Sequence, residues 1–276
     1  MVVVIVLLVV LSSQCLCEVD WCKLRCDGDV EHTMCIYKPH RNFGNCTNIE
    51  DILTQEDRKE LLHMHNEYRN ELAGGLKKGW PRAANMREMS WDDASESVAL
   101  RWAQQCVEGY DECRRTIEFP YVGQTYAVED DTDVYPTHTG GFHLWVDRLA
   151  MIDNPESIIE RFPGDKSAFF TQVVWADSFK LGCSAIKTEL HYDKVYKAVI
   201  LVCNYGPEGN VWDAKMYEIG EPCSKCPSGT ECNQHSAYPH LCALTTSFDV
   251  PSRSCKSYFK VSVIIFSMAT LIISTN

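Results

Sequence analysis

The first half of the chain has a hydrophobic pattern with the period of an α-helix. Thr54 and Asp57 resemble a capping box. In the residues that follow, mostly apolar side chains recur at every third or fourth position and so share one helix face. The residues on that face are Leu61, His65, Tyr68 and Leu72. The pattern predicts a helix that runs to about Ala73 and stops at Gly74-Gly75.

Two further helices are predicted from the same period. One follows Asp92-Asp93 and continues to Cys106, with Gly109 as its stop. The other covers residues 142–152, where four apolar residues share one face. These four residues are Phe142, Trp145, Val146 and Leu149.

Later in the chain the pattern changes to short runs rich in Val, Ile, Tyr and Phe. We predict strands at residues 170–176, 181–187 and 196–205. Helices followed by hairpin-like strands indicate an α+β domain with an antiparallel sheet. From Gly206 onward Gly, Pro and Cys dominate, which predicts a small module that depends on disulfides.

The first residues form an unbroken apolar run that is too short to span a membrane. We expect residues 1–17 to be a signal peptide cleaved after Cys17, although no Lys or Arg precedes the run. The alternative is a buried core helix.

The last residues form a second apolar run at 261–273, preceded by a polar spacer and the small residues Thr245-Thr246-Ser247. This layout predicts a glycolipid (GPI) attachment signal with Ser247 as the acceptor. A C-terminal core strand or helix and a short tail anchor are the alternatives.

The charge of the chain excludes one class of partner. The 276 residues include 38 acidic and 26 basic side chains, for a net charge of −12. Nucleic-acid binding needs clustered Lys and Arg, and the chain has no basic run longer than Lys77-Lys78. We therefore expect no nucleic-acid partner.

The fifteen cysteines indicate an oxidising compartment. Removal of Cys15, Cys17 and Cys255 with the two ends would leave an even set, as a disulfide framework requires. The pair Cys223-x2-Cys226 also fits a zinc site, but a secreted chain favours disulfides. Asn45 lies in an N-glycosylation sequon.

Six segments along the chain carry recognisable motifs: His65-Asn66-x-x-Arg69, Trp91-Asp92-Asp93, Trp102–Cys106, Tyr121–Gln124, Phe170–Trp175 and Ile200–Val211. These segments resemble the CAP superfamily, which groups cysteine-rich secretory proteins, antigen 5 and pathogenesis-related 1. The N-terminal cysteines and the Cys-rich tail are similar to arthropod antigen 5, the venom allergen-like branch.

The resemblance implies an α–β–α sandwich with antiparallel strands, the CAP domain, at residues 58–207. A disulfide-tied arm at 18–57 would precede it. A Cys-rich module at 208–243 and a spacer with the GPI signal at 244–276 would follow. The implied bridges are Cys22–Cys35, Cys26–Cys113, Cys46–Cys106 and Cys183–Cys203. For the last four cysteines, where spacing leaves three pairings open, we expect Cys223–Cys232 and Cys226–Cys242.

Many members of this superfamily bind a divalent metal in a cleft with two histidines and two glutamates. The matching positions here are Tyr110, Gln124, Arg148 and Phe169. Phe cannot coordinate a metal and Arg repels one. We therefore predict no metal, no cofactor and no histidine base in this cleft, and we take the four residues as a candidate ligand cleft.

We expect the other candidate residues, several histidines and an acidic stretch, to have structural roles. His63 and His65 lie two apart on a helix and face different directions. His138 and His143 are taken as surface or packing residues rather than ligands near the cleft. The acidic residues at 129–133 lack EF-hand spacing and are expected to form a solvated loop. The chain contains no His-Glu-x-x-His, Gly-x-Ser-x-Gly or Gly-x-Gly-x-x-Gly motif.

The leading hypothesis is a secreted or surface-tethered, non-enzymatic protein. It would bind a small amphipathic ligand, such as a lipid or sterol, or an extracellular protein, and would meet a membrane only through its lipid anchor. Arg148 beside aromatic residues suggests an anionic ligand, although the four residues could equally plug a vestigial cleft. The alternatives are an extracellular hydrolase with other catalytic residues, and a toxin-like or signalling ligand acting through the Cys-rich module.

Overall fold

The computed structural model describes residues 19–39, 46–130, 138–164 and 167–245, with the side chain of residue 151 left out. Several predictions lie outside these residues. They are the signal peptide at 1–17, the sequon residue Asn45, most of the acidic stretch at 129–133, and Ser247 with the GPI signal. These remain predictions.

The chain folds around a five-stranded sheet with the order β1-β4-β5-β3, in which β2 pairs with β4. All pairings are antiparallel except the short parallel pair β2–β4. The strands are β1 (Cys46–Asp51), β2 (Ser90–Trp91), β3 (Gly123–Asp130), β4 (Lys180–His191) and β5 (Val195–Gly206), and a separate hairpin joins β6 (Thr230–Glu231) to β7 (Ala243–Leu244).

Helices cover both faces of the sheet. The α-helices are α1 (Thr33–Ile36), α2 (Gln55–Ala73), α3 (Asp93–Ala103), α4 (Gly140–Val146), α5 (Pro155–Glu160) and α6 (Ala168–Val173), and 3-10 turns cover Trp21–Lys23, Asp27–Asp29 and Asp147–Met151. The larger core lies under α2, α4 and α6, and a second core lies between the sheet and α3. The predicted α–β–α sandwich is confirmed.

The predicted start of α2 is confirmed by its capping bonds. The Thr54 hydroxyl accepts from the backbone NH of Asp57 at 3.2 Å, and the Asp57 carboxylate accepts from the NH of Thr54 at 2.7 Å. Helix α2 ends at Ala73, as its pattern indicated. Helix α3 ends at Ala103, earlier than predicted, because Cys106 has a left-handed φ of 53° that an α-helix excludes.

The strand predicted at residues 170–176 is wrong, because this segment begins inside helix α6. A short Val- and Phe-rich run does not distinguish a strand from a buried helix. Tertiary partners favour the helix here, since Thr171 donates to Asn210 at 2.6 Å and Gln172 accepts from the NH of Gly209 at 3.1 Å.

The two other predicted strands are confirmed as the β4–β5 hairpin, and both are longer than predicted. Strands β1 and β3 have no counterpart among the sequence predictions. The helix predicted over residues 142–152 is divided between α4 and the following 3-10 turn.

Six disulfides connect the described residues. They join Cys22 to Cys35, Cys26 to Cys113, Cys46 to Cys106, Cys183 to Cys203, Cys223 to Cys232, and Cys226 to Cys242. The resemblance implied the first four of these pairs, and we expected the last two. Both cysteines of the possible zinc pair, Cys223 and Cys226, are therefore engaged in disulfides.

The Cys-rich module packs on the segment that follows α2. The NH of Ala84 donates to Glu218 O at 2.7 Å, and the NH of Cys242 donates to Met86 O at 2.8 Å. The described residues from Asp20 to Thr245 group into one compact unit. No helix in this described part combines the length and the hydropathy needed to cross a membrane.

Candidate functional site

Three of the four predicted cleft residues meet around the ring of Phe169. This ring, on α6, lies 6.4 Å from the Tyr110 ring between centroids. The guanidinium carbon of Arg148, in the 3-10 turn after α4, lies 5.3 Å from the Phe169 centroid. The distance is within the range of a cation–π interaction.

Two further aromatic residues complete this group. The Tyr126 ring on β3 is edge-on to both Phe169, at 5.3 Å, and Tyr110, at 5.4 Å. Trp145 lies 6.5 Å from Phe169 and donates its indole NH to the carbonyl of Tyr126 at 3.0 Å. We call these five residues the aromatic cluster: Tyr110, Tyr126, Trp145, Arg148 and Phe169.

The aromatic cluster is partly open to solvent. Tyr110 is 49 % exposed, whereas Phe169, Tyr126 and Arg148 are half-buried. Partial burial raises the pKa of the Tyr110 phenol, so the hydroxyl stays protonated and can donate a hydrogen bond at neutral pH. The cluster therefore offers apolar ring surface, a hydroxyl and a cation.

Gln124, the fourth predicted cleft residue, is not available to a ligand. It is only 6 % exposed. Its amide NH2 donates to the Asn204 side chain at 2.9 Å, and its amide oxygen accepts from the NH of Asp111 at 3.3 Å. The structure therefore gives Gln124 a role in joining β3 to β5 and to the loop before β3.

Two of the four predicted cleft residues are poor metal ligands by their chemistry. Phe169 has no donor atom and Arg148 brings a positive charge. The oxygen of Gln124 is already engaged by Asp111.

His65 on α2 is fully buried in the interior. Its Nδ1 lies 2.7 Å from the carbonyl of Leu61, and its Nε2 lies 2.9 Å from the Tyr205 hydroxyl. A carbonyl only accepts, so Nδ1 carries the proton and Nε2 accepts from Tyr205. Burial lowers the pKa of His65 to about 3. His65 is therefore a neutral structural residue.

Two other histidines considered from sequence, His63 and His138, have different hydrogen-bond partners. His63 is exposed and contacts the Tyr238 hydroxyl at 2.7 Å, so the two histidines of α2 face different directions, as predicted. His138 lies beside α2, where its Nε2 is 2.8 Å from a Glu60 carboxylate oxygen.

The family model of the cysteine-rich secretory protein family, CAP, matches residues 62–205, which is more than half of the chain. The chain belongs to the CAP family.

Relatives and solved structures agree with this family. The chain is 37 % identical over 214 residues to a "Venom allergen 5" of Rhynchium brunneum, covering 73 % of this chain and 90 % of the relative. The crystal structure of Na-ASP-1 superimposes with a TM-score of 0.57 at 27 % identity, covering 73 % of this chain and 48 % of that one. BmVAL-1 gives 0.56 at 27 % identity, covering 70 % and 97 %.

Sequence reasoning missed Tyr126 and Trp145 as members of the aromatic cluster. Tyr126 stands two residues after Gln124, so both side chains lie on one face of a strand, but β3 itself was not predicted. Trp145 was assigned to the apolar face of a helix, which is correct, and its contact with Phe169 depends on how α4 and α6 pack.

Proposed function

We propose that this CAP protein is an extracellular, non-enzymatic binding protein whose aromatic cluster takes a small anionic amphipathic ligand. The observation that supports this most directly is the Arg148 guanidinium above the Phe169 ring, next to the exposed Tyr110. Ring surfaces favour an apolar chain, and a guanidinium favours a carboxylate or phosphate. An extracellular location agrees with the disulfide framework.

The residues of the aromatic cluster support binding rather than catalysis. The cluster contains two phenols, an indole, a phenyl ring and a guanidinium, and none of these is a base or an activated nucleophile at neutral pH. His65, the histidine of the family-like motif on α2, is neutral and hydrogen-bonded through both ring nitrogens. We therefore place the function in ligand capture.

The test is a titration with a fluorescent fatty acid as the anionic probe and the corresponding fatty alcohol as the uncharged probe. Arg148→Gln should weaken binding of the acid about fivefold or more and leave binding of the alcohol within about twofold. Phe169→Ala should weaken binding of both probes, because it removes apolar surface that they share.

The matched control is Arg82→Gln, which removes the same charge from an exposed arginine that pairs with Glu221 at 2.7 Å. This variant should bind both probes as the wild type does. Equal affinity of Arg148→Gln and wild type for the acid would contradict the assignment. The aromatic cluster would then only fill a vestigial cleft.

A further inference from the structure

Outside the aromatic cluster, three metal-ligating side chains converge at the start of α2. Asp57 and Glu60 are three residues apart on α2, so they lie on the same helix face. His138 precedes α4 by two residues and faces both carboxylates. Its Nε2 is 2.8 Å from Glu60 Oε2 and 3.5 Å from Asp57 Oδ1. All three ligand atoms lie within 4.8 Å of one another.

The orientation of Asp57 is set by the helix cap. One of its oxygens, Oδ2, accepts from the NH of Thr54 at 2.7 Å. The other, Oδ1, is the oxygen that faces His138. A carboxylate held by a second bond in this way has a fixed direction, as the ligands of metal sites do.

The donor set matches the chemistry of zinc-like ions. One imidazole nitrogen and two carboxylate oxygens are ligands that Zn²⁺ accepts at about 2.0–2.2 Å. Ligand atoms at such distances from a shared ion lie about 3–3.5 Å apart in tetrahedral geometry, close to the spacing of His138 from its two partners. Two carboxylates against one imidazole leave a net negative charge for a cation to neutralise.

Burial gives the group a closed side and an open side. The side chains of His138 and Asp57 are 11 % and 21 % exposed, whereas that of Glu60 is 50 % exposed. An ion bound here would keep an outward position for water. It would replace the hydrogen bond that Nε2 donates to Glu60, so imidazole nitrogen and carboxylate would both become ligands.

We propose that Asp57, Glu60 and His138 form a binding site for a divalent transition-metal ion of the zinc class. This site lies on different residues from the four family cleft positions and does not depend on the proposed ligand function. The ion would cross-link the first turns of α2 to the segment that enters α4. The same segment continues into the turn that carries Arg148.

The experiment uses the secreted protein with its disulfides formed, stripped with EDTA and dialysed. Wild type should bind one equivalent of Zn²⁺ by calorimetry and should develop visible d–d absorption with Co²⁺. Zn²⁺ should also raise the melting temperature, since an ion that binds only the folded state stabilises it. Glu60→Gln and His138→Gln should each weaken Zn²⁺ binding by about tenfold or more.

The matched control is His63→Gln, which removes a histidine that lies 3.8 Å from Glu67 on the same helix. That variant should bind Zn²⁺ with unchanged affinity. Glu60→Gln changes a half-exposed side chain, so its melting temperature in EDTA should equal that of wild type. Absence of stoichiometric Zn²⁺ binding by wild type, or unchanged binding by both Glu60→Gln and His138→Gln, would overturn the proposal.

Discussion

The interior face of α2 and the aromatic cluster lie in the same domain but contrast in how their polar groups are used. On the α2 face, His65, Asn66 and Arg69 are at most 2 % exposed, and their side chains bond mainly to backbone atoms. In the aromatic cluster, Tyr110 and Arg148 are partly exposed to solvent. The motif that resembles the family signature is therefore structural, while the candidate binding residues lie elsewhere.

Arg69 shows why the α2 face is structural. Its guanidinium donates to the carbonyls of five residues at 2.7–3.2 Å. These residues are Arg87, Val173, Trp175, Ala176 and Ser178. Complete burial lowers the pKa of Arg69 to about 9, so the group remains charged at neutral pH. One side chain thus replaces water for several backbone groups that no sheet or helix satisfies.

The largest expected effect follows from removing this group. Arg69→Met should lower the free energy of unfolding by about 5 kcal/mol or more, or prevent secretion of folded protein, because buried carbonyls lose their donors. Urea denaturation followed by tryptophan fluorescence measures the loss. The control is Arg82→Gln, an exposed arginine whose partner Glu221 is 77 % exposed.

Arg82→Gln should cost about 1 kcal/mol or less, since exposed ion pairs contribute little. A similar cost for the two arginine variants would show that the backbone carbonyls around Arg69 find other donors, and would remove the contrast between the α2 face and exposed arginines.

A second effect separates two neighbouring phenylalanines of α6. Phe170 is fully buried in the larger core, whereas Phe169 is half-buried in the aromatic cluster. Phe170→Ala should cost about 3–5 kcal/mol of stability. Phe169→Ala should cost about 1–2 kcal/mol, since less of its ring is removed from water. Chemical denaturation of both variants checks the difference, and equal losses would place Phe169 in the core.

A third effect is a pH dependence from His65. Its pKa is about 3 in the folded protein and about 6.5 in an unfolded chain. Between these values the unfolded chain binds one more proton, so the free energy of unfolding falls as the pH is lowered. The loss should be about 1.4 kcal/mol per pH unit, or about 2–3 kcal/mol between pH 7 and 4.5.

Subtraction of a variant isolates this contribution. Burial raises the pKa of Glu88, Glu129 and Glu208, which opposes the loss at low pH in every variant alike. Urea titrations at pH 7 and 4.5 should therefore show a smaller pH dependence for His65→Gln than for wild type. The exposed-histidine variant His63→Gln should keep the wild-type pH dependence. If His65→Gln lost as much unfolding free energy between pH 7 and 4.5 as wild type, the buried neutral state of His65 would be refuted.

Local signals made part of this structure predictable. The caps of α2 and α3 consist of residues three apart, Thr54 with Asp57 and Asp92 with Ser95, so a short window contains the whole signal. The β4–β5 hairpin was predictable from its apolar runs. By contrast, β1 at the sheet edge carries few apolar residues, and α6 bonds to distant residues, Asn210 and Gly209, that no local window contains.

The candidate site was also only partly predictable from the sequence. The resemblance located Tyr110, Arg148 and Phe169, and chemistry alone indicated that these residues cannot form the family metal site. Whether Gln124 faces a ligand or the interior depended on its hydrogen bonds to Asn204 and Asp111. Neither residue lies within the local sequence pattern around Gln124. His138 was taken as a surface or packing residue, and its partner Glu60 is about 80 positions away in the chain, beyond any local pattern.

The sequence by itself determined the family, the helix starts, the main hairpin and the expected cysteine pairs, because these depend on residue types at short or family-specific spacing. Only the tertiary structure decided which polar side chains are buried and which meet. Burial and proximity arise from the packing of distant segments, and these set the pKa of His65, the hydrogen bonds of Gln124 and the carboxylates that face His138.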